Sequence, residues 1–516
     1  MNLTTLDYLV FGIYFALIVI VAVKNSTKEG GEEKNTEDFF LAGRNLPWWI
    51  IGTSLIASNI SAEQLIGMSG SAFVSGIAIV SYEWLSALTL LIIAKWFLPY
   101  FLEMRIYSMP QYLEERFDKR ISVSLGVFWV LVYIFVNLTS ILYLGALTLE
   151  TILGFPPIYS ILGMAILSGF FTIYGGLSAV AWTDFIQVAV LFGGGLLITI
   201  LGLQTAGSGE GILVGFQNII QSSPDKFHTI LSANHKDLPW IGVFFGGMWV
   251  ANLSYWGFNQ YITQRALAAK NIEESRNGLV FAAFLKILVP VIVVLPGVTA
   301  FYLYRDKIST PDMAYPTLIK NLVPVGMTGL ILAALMGAIV SSLNSMTNST
   351  ATIFTMDIYR KLKGETSEKK LVLIGRIVSG LSLLIAVFIA PSLGGLNQVF
   401  QYIQEYTGMV SPGIVVIFLF GLFWRRANSI SVLWVAILTV PISILFKFVF
   451  ADLAFLNRMG VTFLALVLIG TIGVFLTTDK PDPIEKKVID TSTSFGFNLA
   501  SGVILSVLMV LYYIFQ

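Results

Sequence analysis

The chain has 516 residues, 56% hydrophobic and only 12% charged, with a mean hydropathy of +0.81 and a formal net charge of +1. A soluble domain of this size needs far more surface charge, and a near-neutral chain gives no footing to a nucleic-acid partner. With no cysteine there are no disulfides, thiolate metal sites or iron–sulfur clusters, and the only histidines, His228 and His235, fall in a polar stretch where neither haem nor copper would be held in the membrane.

A helix needs roughly 20 apolar residues to cross the hydrocarbon core. In chain order, 14 such runs occur, near 5–23, 47–72, 77–101, 121–152, 157–177, 178–205, 238–260, 278–304, 323–350, 371–390, 396–424, 429–450, 460–477 and 492–515. Met1–Asp7 lacks a basic n-region, so the first run reads as a retained helix and not as a cleaved signal. Counted over alternate loops, lysine and arginine number 21 on one side and seven on the other. The positive-inside rule then puts both termini outside and the charged loops in the cytoplasm. The sequence thus predicts an all-α, multi-pass protein of a cell membrane, and nothing in it sets an oligomeric state.

Polar residues inside these runs carry the functional signal. In 47–72, Ala57-Ser58-Asn59-Ile60-Ser61-Ala62-Glu63-Gln64 is a poor sequence for an unbroken membrane helix. Unwound backbone at that depth is tolerated only where it lines a cavity. Run 238–260 repeats the pattern in Ala251-Asn252-Leu253-Ser254-Tyr255-Trp256-Gly257-Phe258-Asn259-Gln260. Each opens a block of five runs, and five is odd, so the blocks have opposite orientation. Interrupted helices at matching positions of two halves point to an inverted-repeat transporter. Glu83 lies in the next run between Tyr82 and Trp84, and Lys286 sits among apolar neighbours in 278–304. A central charge costs at least ~2.5 kcal/mol, so Lys286 requires a partner or a wet cavity. Lys95 and Arg376 lie near helix ends and can snorkel to the headgroups. In 323–350, Ser341 and Ser345 share a helix face. Such residues also glue membrane helices together; beside freed carbonyls they make a credible oxygen-ligand site for sodium. Gln401, Gln404 and Glu405 open run 396–424. Carboxylate, ammonium, amides and rings together suit a hydroxyl-rich solute, because each hydroxyl both donates and accepts. No nucleotide-binding Gly-x-x-x-x-Gly-Lys-(Ser/Thr) occurs, so the driving force is an ion gradient. A channel or a redox subunit is the competing class, and a membrane enzyme has no nucleophile–base pair to support it.

Several longer motifs occur together: Phe40-Leu41-Ala42-Gly43-Arg44, Ala57-Ser58-Asn59-Ile60, Tyr174-Gly175-Gly176-Leu177-Ser178-Ala179-Val180 with Thr183-Asp184, Gln264-Arg265-Ala266-Leu267-Ala268-Ala269-Lys270-Asn271, and Ser341-Ser342-Leu343-Asn344-Ser345. In that order they resemble the sodium/solute symporter family, in its sodium–glucose and sodium–galactose cotransporter branch. The resemblance implies a LeuT-like core of two inverted five-helix units, 47–205 and 238–426, with an extra helix and loop in 1–46 and three extra helices in 427–516. It implies symport of Na+ with galactose or glucose, and within the same family proline, myo-inositol and pantothenate are the alternative cargoes. By motif match, sodium would be held by the carbonyls of Ala57, Ile60 and Ala338 and the hydroxyls of Ser341 and Ser342. The sugar would be held by Gln64, Glu83, Asn252, Lys286 and Gln404, with Ser86 behind them. Tyr255 would stack under the ring, supported by Trp256, and Met68, Tyr82 and Phe400 would cap it from outside. Asp184 would lie on the ion's exit route.

Overall fold

In the computed structural model, residues 4–26, 35–324, 326–395, 399–477 and 490–516 are described, the side chains of 173–176 and 395 excepted. Lys28, Lys34, Lys480, Lys486 and Lys487 of the loop tally, and the Tyr174-Gly175-Gly176 side chains, therefore lie outside the described residues. Among those described, the chain is helical, with one isolated β-bridge between Leu46 and Ala269. Ten helices are long and apolar enough to span a membrane, and an eleventh span is bent. The helices used below are α1 (Thr5–Ser26), α2 (Trp48–Asn59), α3 (Ser69–Ser75), α4 (Ser81–Ile92), α5 (Pro157–Ala206), α6 (Gly247–Asn252), α7 (Gln260–Leu267), α8 (Ile272–Tyr304), α9 (Thr328–Thr352), α10 (Val399–Gly408), α11 (Ser411–Phe423), α12 (Ser429–Val449), α13 (Phe455–Leu476) and α14 (Phe495–Ile514).

The three predicted spans beyond those eleven are the short or interrupted ones. Run 47–72 is α2 and α3 joined by a break and a π-turn over Glu63–Met68. Run 157–177 is the first part of α5. Thr172 Oγ1 donates to Asn344 Oδ1 (3.2 Å), while Ser341 of the same α9 turn reaches Asp184. Twelve residues of straight helix would separate Thr172 from Asp184 by about 18 Å, so the two ends of α5 pack as separate arms. Run 238–260 is a correction. It is cut into short helices, and its inner half continues beyond the predicted end as α7. Arg265 therefore does not lie in a loop; it is fully buried on α7. Arg116 and Arg276, also assigned to inner loops, are buried as well. Arg116 donates to the carbonyls of Gly421, Trp424 and Ala427 at the end of α11, which explains why a charged side chain is drawn inward.

Apolar side chains are exposed on many helices, the first and last among them. Leu6, Leu9, Ile13 and Ile20 of α1 and Leu499, Val503 and Met509 of α14 are exposed. Such a face is stable only against acyl chains. Gly76 turns the chain between α3 and α4 at φ +69°, where its missing side chain lets the Lys226 carbonyl approach. Lys226 Nζ in turn donates to the Phe73 and Val74 carbonyls that end α3.

Asp312, on the short turn Pro311–Met313, accepts the Val399 N–H at the start of α10 (3.1 Å). Its other oxygen has no partner among the described residues. Burial without a cation pushes this carboxyl up to about 7. The folded chain then holds a proton that an unfolded aspartate releases near ~3.9. The stability linked to that proton is complete at low pH and is lost as pH rises through 7. Asp312→Asn keeps an acceptor for Val399 and removes the titration. The variant's melting temperature in detergent, minus that of the wild type, should be most positive at pH 8 and shrink towards pH 5; a difference independent of pH would contradict the buried carboxylate.

Candidate functional site

The site grows out of the end of α2. At Ile60 the backbone leaves the helical region (φ −77°, ψ 84°). Ser61 N–H turns to the Asn59 carbonyl (2.9 Å), leaving the Ala57 carbonyl that a continuous helix would have used. Seven of the eight side chains from Ala57 to Gln64 are small or polar and give the helix little packing to resist this. The second break lies at Asn259, which is extended (φ −83°, ψ 123°) between a π-turn over Leu253–Phe258 and α7.

Between the breaks lies a cavity of about 110 Å³, lined by Gln64, Tyr82, Glu83, Ser86, Asn252, Tyr255, Trp256, Phe400 and Gln404. Nine predicted residues thus share one chamber. Lys286 stands behind this lining. It is fully buried, its Nζ donates to Glu83 Oε2 (2.5 Å) and to Asn59 Oδ1, and it lies 4.8 Å from the centre of the Trp256 ring. Ser86 Oγ is 2.6 Å from Asn252 Oδ1 and accepts Trp256 Nε1–H (2.7 Å), so Ser86 fixes the orientation of both. The Tyr82 and Phe400 rings meet edge to face at 5.5 Å and close the outer side. Phe400 rests on Gly67, where any Cβ would come within 2.8 Å of it. Met68, the third expected cap, is fully buried and does not line the cavity. In an α-turn it would stack above Gln64, but the π-turn over Glu63–Met68 sets the stacking interval at five residues and rotates it into the core.

Sequence reasoning passed over the floor of the chamber. Asn59 Nδ2 donates to the Tyr255 hydroxyl (3.0 Å), Tyr261 donates to the same oxygen, and Tyr133 donates to Asn259. Asn59 was inside the quoted motif but read only as a helix breaker. Tyr133 and Asn137, on another π-turn (Tyr133–Leu138), are isolated polar positions in a long apolar helix, and only that helix's rotation points them at the cavity.

Of the predicted ion residues, Ser342 reaches the α2 break from α9. Ser342 Oγ donates to the Ser58 carbonyl (3.2 Å), and the Ser58 and Ser345 hydroxyls are 3.0 Å apart. Ala57, Ile60 and Ala338 are buried beside them. Ser341 is turned away, onto Asp184. Asp184 also accepts from Ser54 (2.5 Å) and lies 3.8 Å from Arg265, which itself donates to Ser54 (2.9 Å) and Ser345. A buried polar chain thus runs from the break to α7. Among the described residues no group of three or more His, Cys, Asp or Glu side chains could hold a metal ion.

Two interrupted helices facing one shared chamber in a multi-pass helical protein define a secondary transporter. Residues 39–439 match the Sodium:solute symporter family. The chain is 48% identical over its whole length to the sodium/glucose cotransporter of Vibrio parahaemolyticus, covering 99% of that protein. It is 33% identical over 83% of its length to sodium/myo-inositol cotransporter 2 of Oryctolagus cuniculus, covering 68% of that protein. A solved Na+-coupled sialic acid symporter, substrate-bound and outward-open, superposes with a TM-score of 0.81 at 25% identity, covering 93% of this chain and 99% of that one. A nucleobase-cation-symport-1 family transporter shares the fold at 14% identity and a TM-score of 0.54, over 91% of this chain and 99% of that one. The chain belongs to the sodium:solute symporter family: it is a sodium-coupled transporter and not an enzyme.

Removing one partner of a buried ion pair strands the other charge, at about 3–5 kcal/mol. Lys286→Met should therefore destabilise the protein by about that amount, and Glu83→Gln added to it should restore most of the loss. Thermal unfolding in detergent measures both; equal stability of the single and double variants would show the pair to be solvated.

Proposed function

We propose that this symporter imports a neutral, hydroxyl-rich solute of the galactose or glucose type together with one sodium ion, by alternating access. The observation that carries the reading is the chamber between the two breaks, with amides, a balanced Glu83–Lys286 pair and aromatic faces around one small volume. A carboxylate cargo would want an unpaired cation; the paired charges favour a neutral polyol. In this reading Gln64, Glu83, Asn252, Lys286 and Gln404 bind the hydroxyls, with Ser86 behind Asn252. Tyr255 stacks beneath the ring with Trp256 as its support, and Tyr82 and Phe400 form the roof. The carbonyls of Ala57, Ile60 and Ala338 and the hydroxyls of Ser341 and Ser342 take the sodium ion. Ser341 would leave Asp184 to do so, which places Asp184 on the path by which the ion departs.

The same reading takes 14 spans: the ten long helices, the bent one, and the runs 47–72, 157–177 and 238–260. It groups 47–205 and 238–426 as inverted repeats of opposite orientation, with 1–46 before them and 427–516 after, in a bacterial inner membrane with both termini outside. The loop-charge asymmetry supports the orientation. The freed Ala57 carbonyl, and the α9 hydroxyls already touching that end of α2, support the ion site.

One sodium ion moving inward through −100 mV gains about 2.3 kcal/mol. A tenfold concentration gradient adds ~1.4 kcal/mol. Together these sustain a solute gradient on the order of several hundredfold. Coupling is a population shift. Sodium ties α2 to α9 and sets Gln64 for the solute; the solute closes the roof. After inward opening, sodium leaves, the α2–α9 tie loosens and Tyr255 releases the floor. Linkage requires that the solute raise sodium affinity by the same factor.

Ser342→Ala should raise the sodium concentration for half-maximal uptake about tenfold, the loss of one charge-assisted ligand, in proteoliposomes. Lys286→Ala should abolish uptake; near-normal uptake would make Lys286 purely structural. Calorimetry should find tighter sodium binding at saturating solute, and identical affinities would refute the coupling scheme. Counterflow with galactose, glucose, myo-inositol and proline identifies the cargo, and preference for proline would overturn the polyol assignment.

A further inference from the structure

The outer half-helix α10 carries Phe400 of the roof and Gln404 of the chamber. It meets α11 at a 45° bend. α11 is embedded in the core, whereas α10 is the piece that must lift for a solute to pass the Tyr82–Phe400 contact. What holds α10 down is therefore part of the transport cycle.

The residue after Gln404 is Glu405. One of its oxygens, Oε1, pairs with Lys447 Nζ at 3.1 Å and accepts from Arg458 Nη2 (3.2 Å). Lys447 ends α12 and Arg458 begins α13, two helices that pack along each other outside the breaks. Arg458 is fixed from behind, since its Nη1 donates to the Leu453 carbonyl (2.5 Å). Lys447 also lies 5.3 Å from the centre of the Tyr406 ring, so it grips two successive residues of α10. At the other end of α10, Asp312 takes the Val399 N–H. Glu405 and Arg458 border a cavity that also includes His235, Asp237, Asp452 and Asn457, so water reaches them. The Glu405, Lys447 and Arg458 side chains are 31%, 37% and 16% exposed.

We propose that Glu405 is a positioning residue: through its two cation contacts it clamps α10 onto the α12–α13 pair, holds the roof shut and sets Gln404 at the chamber. The proposal rests on the transport reading above. One carboxylate between two cations suits this task. Lifting α10 separates the charges, and without the carboxylate Lys447 and Arg458 repel each other. Partial exposure keeps the clamp weak enough to open: two such pairs bias an equilibrium by about two- to tenfold. A fully buried pair would lock it.

The chain has no cysteine, so a single reporter needs no background removal. Ile403 is buried on α10 and lines the chamber. In full-length Ile403→Cys protein, reconstituted with sodium, an impermeant maleimide applied from the outer face reads how often the roof opens. Glu405→Gln should speed labelling about two- to tenfold, Lys447→Met should do so less, and Glu405→Asp should stay nearer the parent. Raising ionic strength with choline chloride at fixed sodium should speed labelling of the parent and leave Glu405→Gln unchanged, because screening acts only on an intact clamp. Unchanged labelling in a folded Glu405→Gln protein, or an equal salt response in both, overturns the proposal. If Glu405→Gln does not fold, Lys447→Met decides by the same two readouts. Sodium-driven uptake is measured separately in the unsubstituted protein, so its absence would count against the transport reading while the labelling comparison still judges the clamp.

Discussion

The structure depends on one constraint: backbone polar groups inside a membrane must find partners within the protein. α2 stops at Asn59, deep in the bundle, and its last carbonyls cannot turn to water. α9 is placed to meet them, with a row of serines and threonines at its centre, where Ser342 reaches the Ser58 carbonyl and Ser345 the Ser58 hydroxyl. A helix of leucines there would leave the break unsatisfied at a cost of several kcal/mol. The small residues that let α9 approach and the hydroxyls that quiet the broken end are one sequence feature. Oxygen atoms held at such a seam, short of their full complement of donors, are the chemistry a dehydrated alkali cation requires.

Charge is handled by the same rule of local satisfaction. Lys286 has Glu83 and Asn59; Arg265 has Asp184, Ser54, Ser345 and the Tyr261 carbonyl; Arg116 has three carbonyls at the end of α11. These cations differ in what they face. Arg116 and Arg265 are enclosed by fixed backbone and side-chain oxygens. Glu83 lines the chamber with Lys286 bonded behind it, so in the proposed reading a cargo hydroxyl can exchange for one of the pair's contacts. A buried charge with a replaceable partner suits a binding site, and one with irreplaceable partners suits a strut.

That distinction marks what the sequence made legible. The break in α2 could be read because seven small or polar side chains among the eight from Ala57 to Gln64 have no other use in a membrane helix. The chamber residues could be read because Gln64, Glu83, Asn252 and Lys286 are polar where lipid would surround them. The second broken span was found but ended too early, since Arg265 looks like a loop residue until Asp184, over eighty positions away, is seen beside it. Met68 and Asn137 depended on π-turns, which change facing by a fraction of a turn and leave no periodic trace in the sequence. Floor residues such as Tyr133 and Tyr261 are aromatic, and aromatic residues in apolar helices are ordinarily packing. Only the meeting of their hydroxyls with Asn259 and Tyr255 separates them from the rest.

Asn59 shows how these parts couple. It is the last residue of α2, one position before the chain leaves the helix. Its Oδ1 accepts a hydrogen bond from Lys286 Nζ and its Nδ2 donates one to the Tyr255 hydroxyl. One planar group therefore touches the charge at the chamber wall and the tyrosine at its floor while fixed to the backbone whose carbonyls face α9. A change in how the α2 end is held must tilt this amide, and an amide cannot tilt without straining or breaking a bond at one of its two ends. In the transport cycle proposed above, coupling between ion and cargo then needs no long relay, because a two-headed side chain stands at the helix terminus that both proposed sites share.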